Sequence, residues 1–158
     1  MGGCLANLSS PPPRLPITTH MDDFRTELTA VVDAMRESGV EPSFLVVDLV
    51  GMDYIKRTHG AESVEKFREA ATGAISSAAA ECDTFTYGDE RIIAILSGFG
   101  RLQTFALIDK LRRILPLLGQ SFDCALHPEF DVLDLDEQGV AGLVAQLAKL
   151  NRNREAAA

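Results

Sequence analysis

Phe44-Leu45-Val46-Val47-Asp48 and Tyr87-Gly88-Asp89-Glu90-Arg91-Ile92-Ile93-Ala94-Ile95-Leu96 are the two stretches on which the fold turns. The first is an unbroken apolar run closed by a carboxylate. An apolar run without alternation marks a strand buried on both faces, here Ser43 to Leu49. The second stretch follows Thr84-Phe85-Thr86, so two β-rich runs flank a Gly-Asp turn, which is a hairpin pattern. One carboxylate ends a core strand and another sits at a hairpin tip. Such a pair can hold divalent cations if the strands are neighbours.

Outward from these strands the pattern is helical. Phe24, Leu28, Val31, Val32 and Met35 make one apolar stripe, predicting a helix over Met21 to Ser38 with Thr19 as cap and Gly39 as stop. Val64, Phe67, Ala71, Ile75 and Ala78 make another, within a helical region from Met52 to Ala80 that is interrupted near His59-Gly60. A further helix over Arg101 to Leu118 is expected to bury Phe105, Ile108, Leu111 and Leu115. Then come a short strand, Ser121 to Leu126, and a last helix, Asp136 to Asn151, burying Val140, Leu143, Val144 and Leu147.

The order is helix, strand–helix–strand–strand–helix–strand, helix. The fold class is α+β: a ferredoxin-like or palm split βαβ with a central antiparallel sheet, helices on one or both faces and an extra N-terminal helix. Right-handed crossovers make the strand of Phe44 and the strand of Ile92 central antiparallel neighbours. Asp48 and Asp89 are therefore expected to converge. The domain organisation reads as a Pro/Ser-rich disordered arm over 1–18, one palm domain over 19–151 and a flexible tail over 152–158.

Composition narrows the function classes. The chain has 158 residues, 46% of them hydrophobic, enough for one domain with a real core. Its formal net charge of -8 disfavours nucleic-acid backbones and anionic membranes as partners. No apolar run approaches the roughly 20 residues of a membrane helix, so no membrane insertion is expected. The opening Met1-Gly2-Gly3-Cys4-Leu5 lacks the features of a secretory signal, and Cys4 follows no apolar segment that would mark lipidation. Three cysteines, Cys4, Cys82 and Cys124, do not make a disulfide framework, and a cytoplasmic location is expected. Cys124 and His127 have ligand-like spacing, but no second pair accompanies them for a zinc site.

From Phe24 to Arg154 the chain resembles the GGDEF domain of diguanylate cyclases, a palm fold. The family's Asp-x-Asp-x-Phe-Lys motif is similar to Asp48-Leu49-Val50-Gly51-Met52-Asp53-Tyr54-Ile55, and Gly60 matches its following glycine. The signature hairpin is similar to Phe85-Thr86-Tyr87-Gly88-Asp89-Glu90-Arg91, and the closing helix to Ala148-Lys149 and Arg152-Asn153-Arg154. The resemblance implies that Asp48 and Asp89 are the metal carboxylates, vestigial or holding Mg²⁺ or Mn²⁺. It makes Glu90 the catalytic acid beside them, and Lys149 with Arg152 a phosphate-binding pair. A weaker likeness, carried by Asp48-Leu49-Val50-Gly51-Met52 and Tyr87-Gly88-Asp89-Glu90, is to class III nucleotidyl cyclases.

The departures from the family are specific. Lys56 and Glu65 stand where an Asn and an Asp read the guanine edge, and losing such groups strongly weakens base selection. Tyr87 replaces the first signature glycine, Arg91 replaces the phenylalanine, and Ala78-Ala79-Ala80-Glu81 replaces the inhibitory Arg-x-x-Asp motif. The resemblance so modified implies a degenerate, catalytically inactive domain acting as a regulatory or protein-interaction module in bacterial cyclic-dinucleotide signalling. A protein partner or a homodimer is expected, with Tyr87 and Arg91 exposed by the turn as contact surface. The alternative is an active nucleotidyl cyclase, or another nucleotide-binding enzyme, with altered base choice. If the acidic pair is only vestigial, Asp48→Ala should fold as well as the parent.

Overall fold

The computed structural model describes residues 17–18, 21–80, 82–87 and 90–157. Along them run β1 (Ile17–Thr18), α1 (Met21–Glu37), β2 (Pro42–Val50), α2 (Met52–His59), α3 (Ala61–Ala78), β3 (Asp83–Tyr87), β4 (Arg91–Ser97), α4 (Arg101–Gln120), β5 (His127–Asp134) and α5 (Val140–Ala157). The sheet order is β1-β3-β4-β2-β5. β3, β4, β2 and β5 pair antiparallel, and the two-residue β1 adds to β3 in parallel. This is the α+β palm arrangement expected from the sequence. The β2 and β4 strands are the central neighbours, in register from Pro42↔Ser97 to Asp48↔Arg91.

The apolar run of β2 is explained by its two covered faces. Alternate residues Phe44 and Val46 join Phe24, Leu28 and Val32 of α1 and Leu143, Val144 and Leu147 of α5 in one core. Leu45, Val47 and Leu49 join Ile55 of α2, Phe67, Ala71 and Ile75 of α3, and Leu111 and Leu115 of α4 in the other. Each such fully buried Leu, Ile or Phe contributes about 1.5–3 kcal/mol over an exposed one. Glycine is required where β2 hands over to α2. Gly51 has φ +120, and a side chain there would also press on the Ala125 carbonyl and Cys124 sulfur at 3.4 Å.

Four expectations are corrected. The strand expected over Ser121–Leu126 lies instead at His127–Asp134. Ser121, Phe122 and Cys124 donate backbone hydrogen bonds to carbonyls at the end of α4, so they close that helix rather than extend a ladder. The real strand is half-exposed along its length, and Pro128 is tolerated because β5 is an edge. Phe105, expected in the core, is 59% exposed. Residues 17–18 of the expected arm are part of the sheet, while residues 1–16 lie outside the described ones. The expected tail is helical through Ala157, continuing α5.

Candidate functional site

Asp48 ends the covered part of β2 on the face beneath α1 and α5, with the same parity as Phe44 and Val46. Its register partner across the ladder is Arg91, the first residue of β4. Arg91 has the parity of Ile93 and Ile95, so its side chain turns inward onto the same face. Both groups are buried, with side chains 4% (Arg91) and 6% (Asp48) exposed. Arg91 Nε donates to Asp48 Oδ1 at 2.7 Å and Nη2 donates to Oδ2 at 3.4 Å. Arg91 Nη1 donates to the Leu147 carbonyl of α5 at 3.3 Å. One guanidinium thus engages both oxygens of the carboxylate and ties the central sheet to the last helix. Charge-assisted paired contacts of this kind are the strong class of hydrogen bond.

Arg91 therefore does not lie on an exposed hairpin surface as expected. The alternation of β4 places it inside, and the Asp48 carboxylate gives the buried cation its partner. Asp89 and Gly88 at the hairpin tip lie outside the described residues, as do the side chains of Tyr87 and Arg152. Lys149 is described and exposed on α5. Among the described residues no three His, Cys, Asp or Glu side chains cluster as a metal site. A divalent cation does not fit Asp48 as it stands. A fixed guanidinium already spans both oxygens, and a second cation there would meet like-charge repulsion in a desolvated corner.

A third charge adjoins the pair. Burial, and then the neighbouring Asp48 carboxylate, push the Asp131 carboxyl above its ordinary 3.8, while Arg91 pulls it down. The folded state thus holds a proton that the unfolded chain releases at lower pH. Stability from this group is complete below the ordinary carboxylate value and is lost as pH rises through the raised one. Asp131→Asn is accordingly expected to be more stable than the parent at neutral pH, with the difference closing as pH falls below 3.8. Urea denaturation midpoints across that range check this, and an Asn variant weaker at neutral pH would contradict it.

On the opposite face, α2 and α3 frame a cleft of about 280 Å³. Met52, Asp53 and Lys56 line one wall, Val64, Glu65 and Arg68 the other, and Glu90 the end nearest the hairpin. The two positions assigned by resemblance to base reading, Lys56 and Glu65, are therefore brought together. Arg68, which sequence reading missed, is buried and ion-paired with Glu65. The signal for it was present: Arg68 follows Glu65 by one helical turn and borders the stripe of Val64, Phe67 and Ala71. Asp53 is held by Arg57 at 3.2 Å on the exposed side of α2. Asp48 does not line this cleft. Glu90 does, and its carbonyl accepts from the Leu49 amide at 2.7 Å, so the cleft closes on the end of the central ladder.

Among the described residues the two cysteines supply no ready thiolate. Burial, followed by the Asp83 charge, pushes the Cys82 thiol up to about 11, and burial raises Cys124 as well. The Cys124 thiol donates to the Gly51 carbonyl at 3.4 Å, a contact that closes the turn before α2. No helix among the described residues is long and apolar enough to cross a membrane.

Comparison with known proteins agrees with this architecture. No protein-family model matches the chain, and no curated protein does. Among solved structures, the GGDEF domain of DgcB from Caulobacter crescentus, in complex with c-di-GMP, is similar at a TM-score of 0.60. It is 14% identical, over 86% of this chain and 82% of that one. The GGDEF domain of the PA2567 protein from Pseudomonas aeruginosa is similar at 0.54, with 17% identity over 83% of this chain and 89% of that one. The FimX GGDEF domain from Pseudomonas aeruginosa is similar at 0.50, with 19% identity over 70% of this chain and 74% of that one. At these identities the likeness is one of fold, and the chain has a GGDEF-like fold.

Proposed function

We propose that this chain is a non-catalytic GGDEF-like module of bacterial cyclic-dinucleotide signalling, acting in the cytoplasm through contact with a protein partner. The observation that carries the reading is the buried pair of Asp48 and Arg91. Two-metal phosphoryl transfer needs open carboxylates that take a cation along with the substrate phosphates. Here the carboxylate expected to do so is neutralised by the chain's own arginine. The Glu65–Arg68 pair supports the same reading, because the cleft position where an acid would meet a base edge is already engaged.

The second reading is a nucleotide-binding enzyme with altered base choice. The cleft itself favours it, since Lys56 and Glu90 both line about 280 Å³ of space. Incubating the protein with ATP and GTP, in Mg²⁺ and in Mn²⁺, and analysing products by mass spectrometry separates the two. The non-catalytic reading expects no cyclic product from the parent or from Asp48→Asn. A cyclic product that disappears in Asp48→Asn would overturn it.

A further inference from the structure

The strand β5 forms one edge of the described sheet, and its face toward α4 borders a groove with that helix. The groove measures about 560 Å³. Its apolar walls are Phe105 and Ile108 of α4 and Phe130 and Val132 of β5. Phe105 is 59% and Val132 42% exposed, and Leu102, one helical turn before Phe105, is 82% exposed. Large apolar side chains grouped beside an open strand edge are an unusual cost for a chain with no use for them.

We infer that this groove receives an extended, basic segment of a partner protein, which pairs with β5 as an added strand. The inference rests on the interaction-module reading above and names its surface and partner chemistry. Charge selects the occupant. Along β5 the faces alternate: Phe130 packs toward the core beneath α4, and Leu133 toward the one beneath α1 and α5. Phe130, Val132 and Asp134 therefore share the groove side, and Glu129, Asp131 and Leu133 the other. An incoming strand with apolar and basic residues in alternation would set its apolar side chains against Phe130, Val132 and Phe105. Its cations would lie on the face of Glu129, the exposed acid of that edge, as a favourable cross-strand arrangement.

The same charges disfavour a second copy of this chain. Antiparallel self-pairing of two β5 edges puts like faces together, so the exposed Glu129 of one copy would share a face with that of the other. The formal net charge of -8 adds to that repulsion and to the attraction of a basic segment. Pro128 and the acids thus guard the edge against indiscriminate pairing while leaving it open to a partner of opposite charge. Within the groove, Asp109 is paired with Arg113 at 3.3 Å and Arg112 is stacked over the Phe130 ring at 5.6 Å, so the selecting charge lies on the strand edge rather than in the groove.

The test uses a capped peptide of alternating lysine and valine, matched to the 8 residues of β5, and the same peptide with glutamate for lysine. Fluorescence anisotropy reads binding, and hydrogen exchange reads the amides of β5. The expected result is saturable binding of the lysine peptide, added protection at β5 and no binding of the glutamate peptide. The paired changes Phe105→Ala and Val132→Arg, both on exposed side chains, are expected to weaken binding by at least about tenfold. Equal binding by the variant, protection elsewhere than β5, or no binding of the lysine peptide would overturn the inference. So would a concentration-dependent dimer, seen by sedimentation, that Val132→Arg abolishes, because a second copy would then be the occupant. None of these readouts depends on nucleotide turnover, so a cyclic product would sink the non-catalytic reading without touching this one.

Discussion

Replacing Arg91 by alanine is expected to destabilise the domain by about 3–5 kcal/mol, a fall in Tm of about 6–20 °C for a domain of this size. The side chain removed is 4% exposed and is the cation facing both oxygens of Asp48. Its loss leaves a carboxylate buried between the sheet and α5 without that cation, and it frees the Leu147 carbonyl from its bond to Nη1. The large cost belongs to the buried charge that loses its guanidinium, not to the net value of the pair, because desolvating two ions nearly cancels their attraction. The double change Asp48→Leu with Arg91→Met is therefore expected to be far milder than Arg91→Ala alone. Urea denaturation of the three proteins measures this. If Arg91→Ala were neutral, or the double variant the weakest, the buried pair would not be the organising contact described here. The same geometry reverses the expectation that Asp48→Ala would be harmless, since that change takes both carboxylate contacts from a buried guanidinium.

Phe67→Ala is expected to cost about 3–5 kcal/mol as well, by a different mechanism. Phe67 is fully buried on α3, packed against the sheet among Leu45, Val47 and Ile75. Its ring meets Phe122 edge to face, with centroids 5.4 Å apart, so the change also removes an aromatic pair joining α3 to the turn after α4. Truncation leaves a cavity that helix and sheet cannot fully close. Because Glu65 and Arg68 flank Phe67 on the same helix, the cleft is expected to loosen with it, read as faster exchange of α3 amides. A loss below about 1 kcal/mol would mean that α3 can resettle on the sheet, contrary to the close packing of such interiors.

Much of the fold was legible because it is written in periodicity. The unbroken run of β2 forecast burial on both faces, the hairpin pattern forecast β3 and β4, and the crossovers forecast that β2 and β4 are neighbours. The site was harder to read. Topology brought the end of β2 to the start of β4, but the residue opposite Asp48 is set by register, and a single step along β4 exchanges an inward side chain for an outward one. Counting parity back from Ile93 and Ile95 points to Arg91, a signal that the turn-centred reading passed over. β5 was misplaced because its alternation of acids and apolar residues is weak beside the apolar run before it. Phe105 fits the helical stripe of α4 yet faces the groove, and no local pattern separates those two positions on a helix that is only partly covered.

The most direct test of the central claim is calorimetric titration of the parent protein with Mn²⁺, with and without GTP, beside Asp48→Asn. The claim that Arg91 holds the place of a metal predicts no saturable Mn²⁺ binding that depends on Asp48. Saturable binding to the parent that Asp48→Asn removes would show that the carboxylate is open to a cation, and would contradict the account.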